Sequence, residues 1–266
     1  MYVQIIHILI PVIAMAVLGI VFGAGLAYAL KLFGIEVDPT VALIITKLPG
    51  TNCGVCGKAG CAGFAKALVK GEVMPTGCVV SNEKARRAIA KVLGIEYAPK
   101  TKTIATLLCS GGKNAKDKYT YHGIRSCKAA SLVFGGFKAC AFGCLSLGDC
   151  AEVCPFGAIR MGDSGLPEVD ADKCTACGNC VKTCPKNLFA LVPAKNGYYV
   201  KCSSKDPGGA KVKVCMASCI ACKKCEKACP IGAIRVEQNL SRIDCAKCQN
   251  IGKCFEVCPT KVINKR

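Results

Sequence analysis

Two stretches of the chain repeat one cysteine phrase, Cys174-x2-Cys177-x2-Cys180-x3-Cys184-Pro185 and Cys219-x2-Cys222-x2-Cys225-x3-Cys229-Pro230. Thiols this close together cross-link poorly with one another, but on a tight loop they take several corners of one metal centre. The chain has 24 cysteines in 266 residues. In a short secreted chain that density means a disulfide scaffold, and here the length and the spacing point to metal.

The repeated phrase has the spacing of bacterial ferredoxin [4Fe-4S] sites, where three thiolates hold one cube and the fourth, before proline, ligates its neighbour. A zinc reading needs only two CxxC pairs and leaves the third cysteine and the proline unexplained. Each regular block has a looser companion: Cys140-x3-Cys144-x5-Cys150-x3-Cys154-Pro155 and Cys245-x2-Cys248-x5-Cys254-x3-Cys258-Pro259. The phrases opening at Cys154, Cys184, Cys229 and Cys258 make a fourfold internal repeat. Between paired blocks, Ile159 to Asp172 and Ile234 to Asp244 alternate short apolar stretches with turn residues and predict hairpins. Exchanging fourth ligands predicts four cubes. They are Cys140, Cys144, Cys150 and Cys184; Cys174, Cys177, Cys180 and Cys154; Cys219, Cys222, Cys225 and Cys258; and Cys245, Cys248, Cys254 and Cys229.

Upstream, Cys53-x2-Cys56-x4-Cys61-x16-Cys78 is a different motif. Gly50, Gly54, Gly57, Gly60 and Gly63 let the backbone wrap closely and turn N–H groups toward sulfur. Residues Ala62 to Lys70 read as a helix whose positive end faces the centre. A second helix is capped by Ser81 or Asn82 and stops at Gly94. Zinc stays open for this set, although the neighbouring blocks favour a fifth [4Fe-4S] cluster. Cys109, Cys127, Cys202 and Cys215 remain and bracket the first ferredoxin pair. They are expected to hold a sixth cluster, the alternatives being isolated buried thiols or a redox-active pair.

No charged residue precedes Lys31. From Ile5 to Leu30 the chain is apolar and long enough to span about 30 Å of hydrocarbon. A signal peptide, suggested by Ala27-Tyr28-Ala29, would carry a cation before a shorter apolar run. Lys31 and Lys47 follow the span, which predicts the N-terminus outside and the cluster domains in the cytoplasm; free thiols fit that reducing compartment. Gly19, Gly23 and Ala27 form a small-residue stripe that permits close approach of another membrane helix.

The expected fold class is α+β: a single N-terminal transmembrane helix, a small helical 4Fe-4S domain and two tandem bacterial 2[4Fe-4S] ferredoxin-like modules. The expected boundaries are 1–30 for the transmembrane helix, 31–98 for the N-terminal 4Fe-4S domain, 99–135 with 195–216 for an extra cluster-binding module, 136–194 for the first ferredoxin module and 217–266 for the second. The formal charge of +19 does not imply nucleic acid. Six cubes at roughly −2 each with their thiolates would leave about +7, a balance that attracts an acidic redox partner. Lys223, Lys224 and Lys227 sit in a cluster loop, where they form either a solvated charge run or part of the surface on which such a partner docks.

This order of motifs resembles the B subunit of the Rnf complex over essentially the whole chain. Tyr121-His122-Gly123-Ile124, Cys127-Lys128-Ala129-Ala130, Gly143-Cys144-Leu145 and Cys202-Ser203-Ser204-Lys205-Asp206 add to the resemblance, which is to the longer, four-block form. The resemblance implies a component of an ion-translocating ferredoxin:NAD+ oxidoreductase. Such a component takes electrons from soluble ferredoxin and passes them to membrane subunits that move Na+ or H+, with NAD and flavin held elsewhere. In agreement, the chain has no G-x-G-x-x-G after a strand, no P-loop and no flavin-attachment motif. Electrons are expected to enter at a C-terminal module and leave through the Cys53–Cys78 domain beside the bilayer. Two other readings are a polyferredoxin component of a membrane-bound hydrogenase or quinone reductase, and a non-enzymatic cluster carrier or redox sensor.

Overall fold

The computed structural model describes residues 2–33, 38–99 and 101–266. Met1, residues 34–37 and Lys100, which include the start of the expected anchor and part of the stretch after it, lie outside the described residues. The first element, α1 (Tyr2–Phe33), is among the described residues the one helix long and apolar enough to cross a membrane. Gly19 and Gly23 have nothing within 4 Å of where a side chain would start, so at these two positions α1 meets no other described residue.

A three-helix unit follows. Helix α2 (Pro39–Lys47) begins where the Asp38 carboxylate accepts from Thr40 N at 2.7 Å, with Pro39 preset for the first turn. It stops at Leu48, before Pro49, where a helical conformation is disfavoured. Helix α3 (Gly60–Val69) matches the helix expected from Ala62, begun two residues earlier. Helix α4 (Glu83–Leu93) is capped by Asn82, whose side chain accepts from Ala85 N at 2.8 Å, and ends at Gly94 with φ +65°. Ile44, Phe64, Leu68 and Ile89 close the core between these helices. Each large apolar side chain there contributes roughly 1.5–3 kcal/mol by leaving water.

The rest is built from short helices and four two-stranded antiparallel ribbons. In chain order these elements are β1 (Thr103–Leu107), α5 (Cys127–Leu132), α6 (Asp149–Glu152), β2 (Ile159–Met161), β3 (Pro167–Val169), α7 (Asn179–Thr183), β4 (Phe189–Pro193), β5 (Tyr198–Val200), α8 (Gly208–Val214), α9 (Lys224–Ala228), β6 (Ile234–Glu237), β7 (Leu240–Ile243), α10 (Lys253–Glu256) and β8 (Ile263–Lys265). Ribbons β2–β3 and β6–β7 are the two hairpins expected from sequence. Gln238 and Asn239, at φ +48° and +59°, turn the second in two residues, the geometry that follows strand twist.

The other two ribbons close over long stretches of chain. Strand β1 pairs with β4 in the register Thr103↔Pro193 to Leu107↔Phe189, and β5 pairs with β8 from Tyr198↔Lys265 to Val200↔Ile263. The two stretches of the expected unit, 99–135 and 195–216, do meet, through an Ala115↔Cys215 bridge and the bonds from Ser110 Oγ to Lys201 O and Ala217 O, but each also reaches into a ferredoxin segment. Strand β1 completes a ribbon with the end of the first ferredoxin segment, and β5 does so with the end of the second. Both choices bury a strand against an apolar partner: Ile104, Leu107, Leu188 and Phe189 share one core, and Val200, Ile234, Val262 and Ile263 another. Arg266 then ties the two ribbons together. Its backbone N–H donates to Gly197 O at 2.7 Å, and its guanidinium reaches Pro193 O at 3.2 Å and the buried Thr106 hydroxyl.

Candidate metal centres

The N-terminal hollow is lined by Cys53, Cys56, Cys61 and Cys78, together with Phe64 and Val80. Asn52, held at φ +47°, accepts from Cys61 N at 2.7 Å and so ties the loop to the start of α3. Gly60 has φ +72°, and a methyl there would meet the Asn52 carboxamide at 2.8 Å. Behind Cys78, Arg86 donates to the Cys78 carbonyl at 2.8 Å and to Ser81 Oγ at 3.1 Å. Cys53 is exposed while Cys78 is buried. The hollow thus opens on the Cys53 side.

Three further sets of the expected cysteines come together as the spacing suggested. Cys154, Cys174, Cys177 and Cys180 line one hollow, and Cys219, Cys222, Cys225 and Cys258 another. Cys254 neighbours Cys248 and Cys229, and Cys245 neighbours Cys248. In the tight loops, Ala176 and Ala221 take φ +57° and +56°, and Gly178 and Lys223 follow at +83° and +59°. This left-handed backbone aims successive N–H groups at one point, an anion-binding arrangement. Ala158 N donates to Cys154 Sγ at 3.4 Å, and Ala105 N in β1 donates to Cys174 Sγ at 3.5 Å.

The remaining eight cysteines are shared out differently from the expectation. Cys144, Cys150 and Cys184 line a hollow whose fourth cysteine is Cys127, not Cys140. Cys140 lies instead with Cys109, Cys202 and Cys215. Backbone N–H groups of Leu147, Gly148 and Asp149 face the Cys127 thiol. The Asp149 carboxylate accepts from Cys127 N at 2.7 Å, Lys128 N at 3.1 Å and Ser126 Oγ at 2.9 Å. Burial works against the charge on Asp149, but these three donors hold its carboxyl below the usual range. A signal for the exchange was present in the spacing. The first loose block opens with x3 where its counterpart opens with x2, and that extra residue carries Cys140 out of the position held by Cys245.

Several of the thiols are buried enough to resist ionising alone. Burial pushes Cys140 and Cys180 up to about 11 and Cys144 and Cys150 up to about 12, with neighbouring cysteines adding to each shift. A bound metal reverses this, because a coordinating thiol is deprotonated. Two buried hydroxyls point to the kind of group that fits. Thr175 Oγ1, in the Cys154–Cys180 hollow, and Ser218 Oγ, in the Cys109–Cys215 hollow, have no partner, and anionic sulfur would accept from both. Around a single zinc ion, four sulfurs would stand about 3.8 Å apart. Among the described residues no three His, Cys, Asp or Glu side chains converge in that way, whereas four thiols rim each of five hollows. The donor set, the N–H···S bonds and the spread of the thiols suit a multi-atom cluster.

Comparison with known proteins agrees with this chemistry. The Fe-S cluster family model matches residues 48–80. A 4Fe-4S dicluster domain model matches residues 139–188 and 218–262, and a second 4Fe-4S dicluster domain model matches residues 166–230. The chain is 42% identical to the B subunit of the Na(+)-translocating ferredoxin:NAD(+) oxidoreductase complex of Acetobacterium woodii, over 97% of this chain and 78% of that protein. It is 41% identical to the B subunit of the proton-translocating ferredoxin:NAD(+) oxidoreductase complex of Clostridium ljungdahlii, over 96% of this chain and 92% of that one. It is 40% identical to the B subunit of the ion-translocating oxidoreductase complex of Methanosarcina acetivorans, over 95% and 96% of the two chains.

Proposed function

The chain belongs to the family of B subunits of ion-translocating Rnf oxidoreductase complexes, and from that membership we propose that it carries electrons from reduced soluble ferredoxin to the membrane subunits of such a complex. The relay role rests on the family and on the dicluster domains. The observation that carries the finer reading is the set of separate hollows, each rimmed by four thiols, along one chain. Bound [4Fe-4S] clusters supply one-electron carriers whose potentials respond to N–H···S bonds, solvent exposure and nearby charge.

The residues divide the work. Cys53, Cys56, Cys61 and Cys78 form the ligand set nearest the anchor in the chain, and the exposed Cys53 gives it an open side on which electrons leave. The sets Cys154–Cys174–Cys177–Cys180, Cys219–Cys222–Cys225–Cys258 and Cys229–Cys245–Cys248–Cys254 belong to the two ferredoxin modules, where soluble ferredoxin docks. The excess of Lys and Arg over Asp and Glu, 36 to 17, steers in an acidic partner. Helix α1 anchors the protein, and the cations Lys31 and Lys47 after it set the body on the cytoplasmic side. NAD and flavin belong to other subunits, and the whole complex couples ferredoxin:NAD+ oxidoreduction to Na+ or H+ transport. Relatedness over nearly the full chain favours this over a component of a hydrogenase or quinone reductase and over a cluster carrier.

The test uses the assembled complex carrying Cys53→Ser. Ferredoxin oxidation at the C-terminal sites is expected to remain measurable as a single-turnover reduction of the protein, while NAD+ reduction stops. Unchanged NAD+ reduction would rule out exit through the N-terminal site.

A further inference from the structure

We propose that soluble ferredoxin docks on an apolar tip with a cationic rim, formed by Ile124, Leu132, Val133 and Phe134 around α5, beside the hollow of Cys127, Cys144, Cys150 and Cys184. The proposal rests on the relay reading above and narrows it to one face of the first module.

Two segments flank α5 and are tied to each other. Lys118 N donates to Phe137 O and the Tyr119 hydroxyl to Val133 O, both at 2.7 Å, and the Tyr121 ring stacks on Phe137 with centroids 5.9 Å apart. Lys186, two residues after Cys184, pins the turn that follows α5 by donating to Gly135 O at 2.5 Å and to Ala141 O at 2.7 Å. On this braced frame large apolar side chains are left in water: Phe134 is 87% exposed, Leu132 84% and Ile124 75%. Phe134 also holds φ +48°, a left-handed backbone that costs a bulky residue and that glycine or asparagine takes readily. Neither burial nor backbone preference accounts for a phenylalanine there; a partner that covers it does.

Charge names the partner. From Lys118 to Gly148 the sequence holds no Asp or Glu, and Lys118, Arg125 and Lys128 are exposed. The carboxylates that bound this stretch are both engaged, Asp117 with Lys138 at 2.8 Å and Asp149 with the backbone N–H groups of Cys127 and Lys128. An apolar centre ringed by cations fits an acidic protein. Four side chains cover roughly a few hundred Å². That suits a transient electron-transfer encounter and falls short of the obligate interface of about 2,000 Å² or more that a permanent subunit makes. In the second module Ile251, Phe255 and Val257, around Cys254, are each less than half exposed and have Glu256 among them, which favours the first.

Position completes the case. Cys127 is the first residue of α5 and Leu132 its last, a rise of about 7.5 Å along the helix. A carrier seated on the tip faces the Cys127 hollow across one short helix. Lys186, which lines that hollow and also holds the turn carrying Phe134, joins the docking face to the site it serves.

Calorimetric binding of oxidised soluble ferredoxin to the full-length, anaerobically purified holoprotein in detergent, at low and raised salt, decides the assignment. Leu132→Gln with Phe134→Asn removes the apolar tip and keeps the fold, since glutamine suits a helix and asparagine tolerates the backbone of Phe134. The expected result is a Kd raised about tenfold or more with iron content unchanged. Arg125→Glu with Lys128→Glu is expected to raise Kd about tenfold at low salt and to flatten its salt dependence. Where a pair lowers the iron content, Phe134→Asn alone is held to the same standard. A parent that binds ferredoxin and is reduced by it, with variants that bind equally well, overturns the docking surface and leaves the relay standing; a parent that ferredoxin neither binds nor reduces sinks the relay reading as well. Loss of the other subunits from a complex carrying Leu132→Gln with Phe134→Asn, at unchanged ferredoxin affinity, assigns the tip to a fixed subunit and also overturns the proposal.

Discussion

Asp149 Oδ1 lies 2.7 Å from the backbone N–H of Cys127, a residue 22 positions earlier. The carboxylate is adjacent in sequence to Cys150, so a single side chain fixes two thiols of one hollow relative to each other. It also caps the first turn of α5, where a negative charge is favoured. Neighbouring N–H groups from residues 147–149 face the Cys127 sulfur, which makes the contact reciprocal.

Asp149→Ala removes three acceptor contacts and frees the Cys127 backbone. Hydrogen bonds to a charged group contribute about 1.5–3 kcal/mol, so the loosening exceeds that of an ordinary surface change. The expected result is loss of about four iron from the purified protein, with Asp149→Asn keeping most of it. Full iron content in the alanine variant would show that Cys127 is positioned without this carboxylate.

Lys211 lines the Cys109–Cys215 hollow, and Lys211→Met keeps the bulk of its buried side chain and removes its charge. A cation close to a cluster favours the reduced form, and at an effective dielectric of about 20 its loss is expected to cost roughly 1–2 kcal/mol, on the order of 50–100 mV for one electron. Redox titration followed by electron paramagnetic resonance should show one centre moving to lower potential while the others stay. A set of unmoved potentials would place Lys211 outside the field of any centre.

Arg266→Ala tests the closure of the two long-range ribbons. It removes the contacts to the Thr106 hydroxyl and to Pro193 O and Asn196 O, and the stacking over Tyr199 at 5.7 Å. A stability loss of about 1–2 kcal/mol is expected in denaturant unfolding of the holoprotein. Faster amide exchange at Tyr198–Val200 should accompany it, since β5 is held only by β8 in its ribbon. Unchanged exchange there would mean that Arg266 decorates the ribbon without holding it.

The regular spacings carried most of the site, because a CxxCxxC loop leaves little freedom in where its thiols point. Asn82 and Gly94 as helix limits and the two hairpins were legible for the same local reason: cap chemistry and turn residues act over a few positions. The pairing of β1 with β4 was not. Five residues on each side carry no register mark, and more than 80 residues separate the partners in sequence, so the choice is made by burial in a shared core. The exchange of Cys127 for Cys140 was visible only as one extra residue in a spacer. The partnerless Ser218 hydroxyl and the buried Lys211 ammonium have no sequence signature, since nothing in their neighbours predicts that either would leave water.

The strands that close at a distance also set a calendar for the protein's making. As the chain leaves the ribosome, the N-terminal hollow is complete at Cys78 and the Cys154–Cys180 hollow at Cys180, followed four residues later by the one ending at Cys184. The central hollow waits for Cys215 and the last for Cys258. Strand β8 and Arg266 arrive only after every thiol is present. A cell that loads metal during synthesis meets the sites one at a time from the N-terminal end, and β8 with Arg266 is made after the last of their thiols.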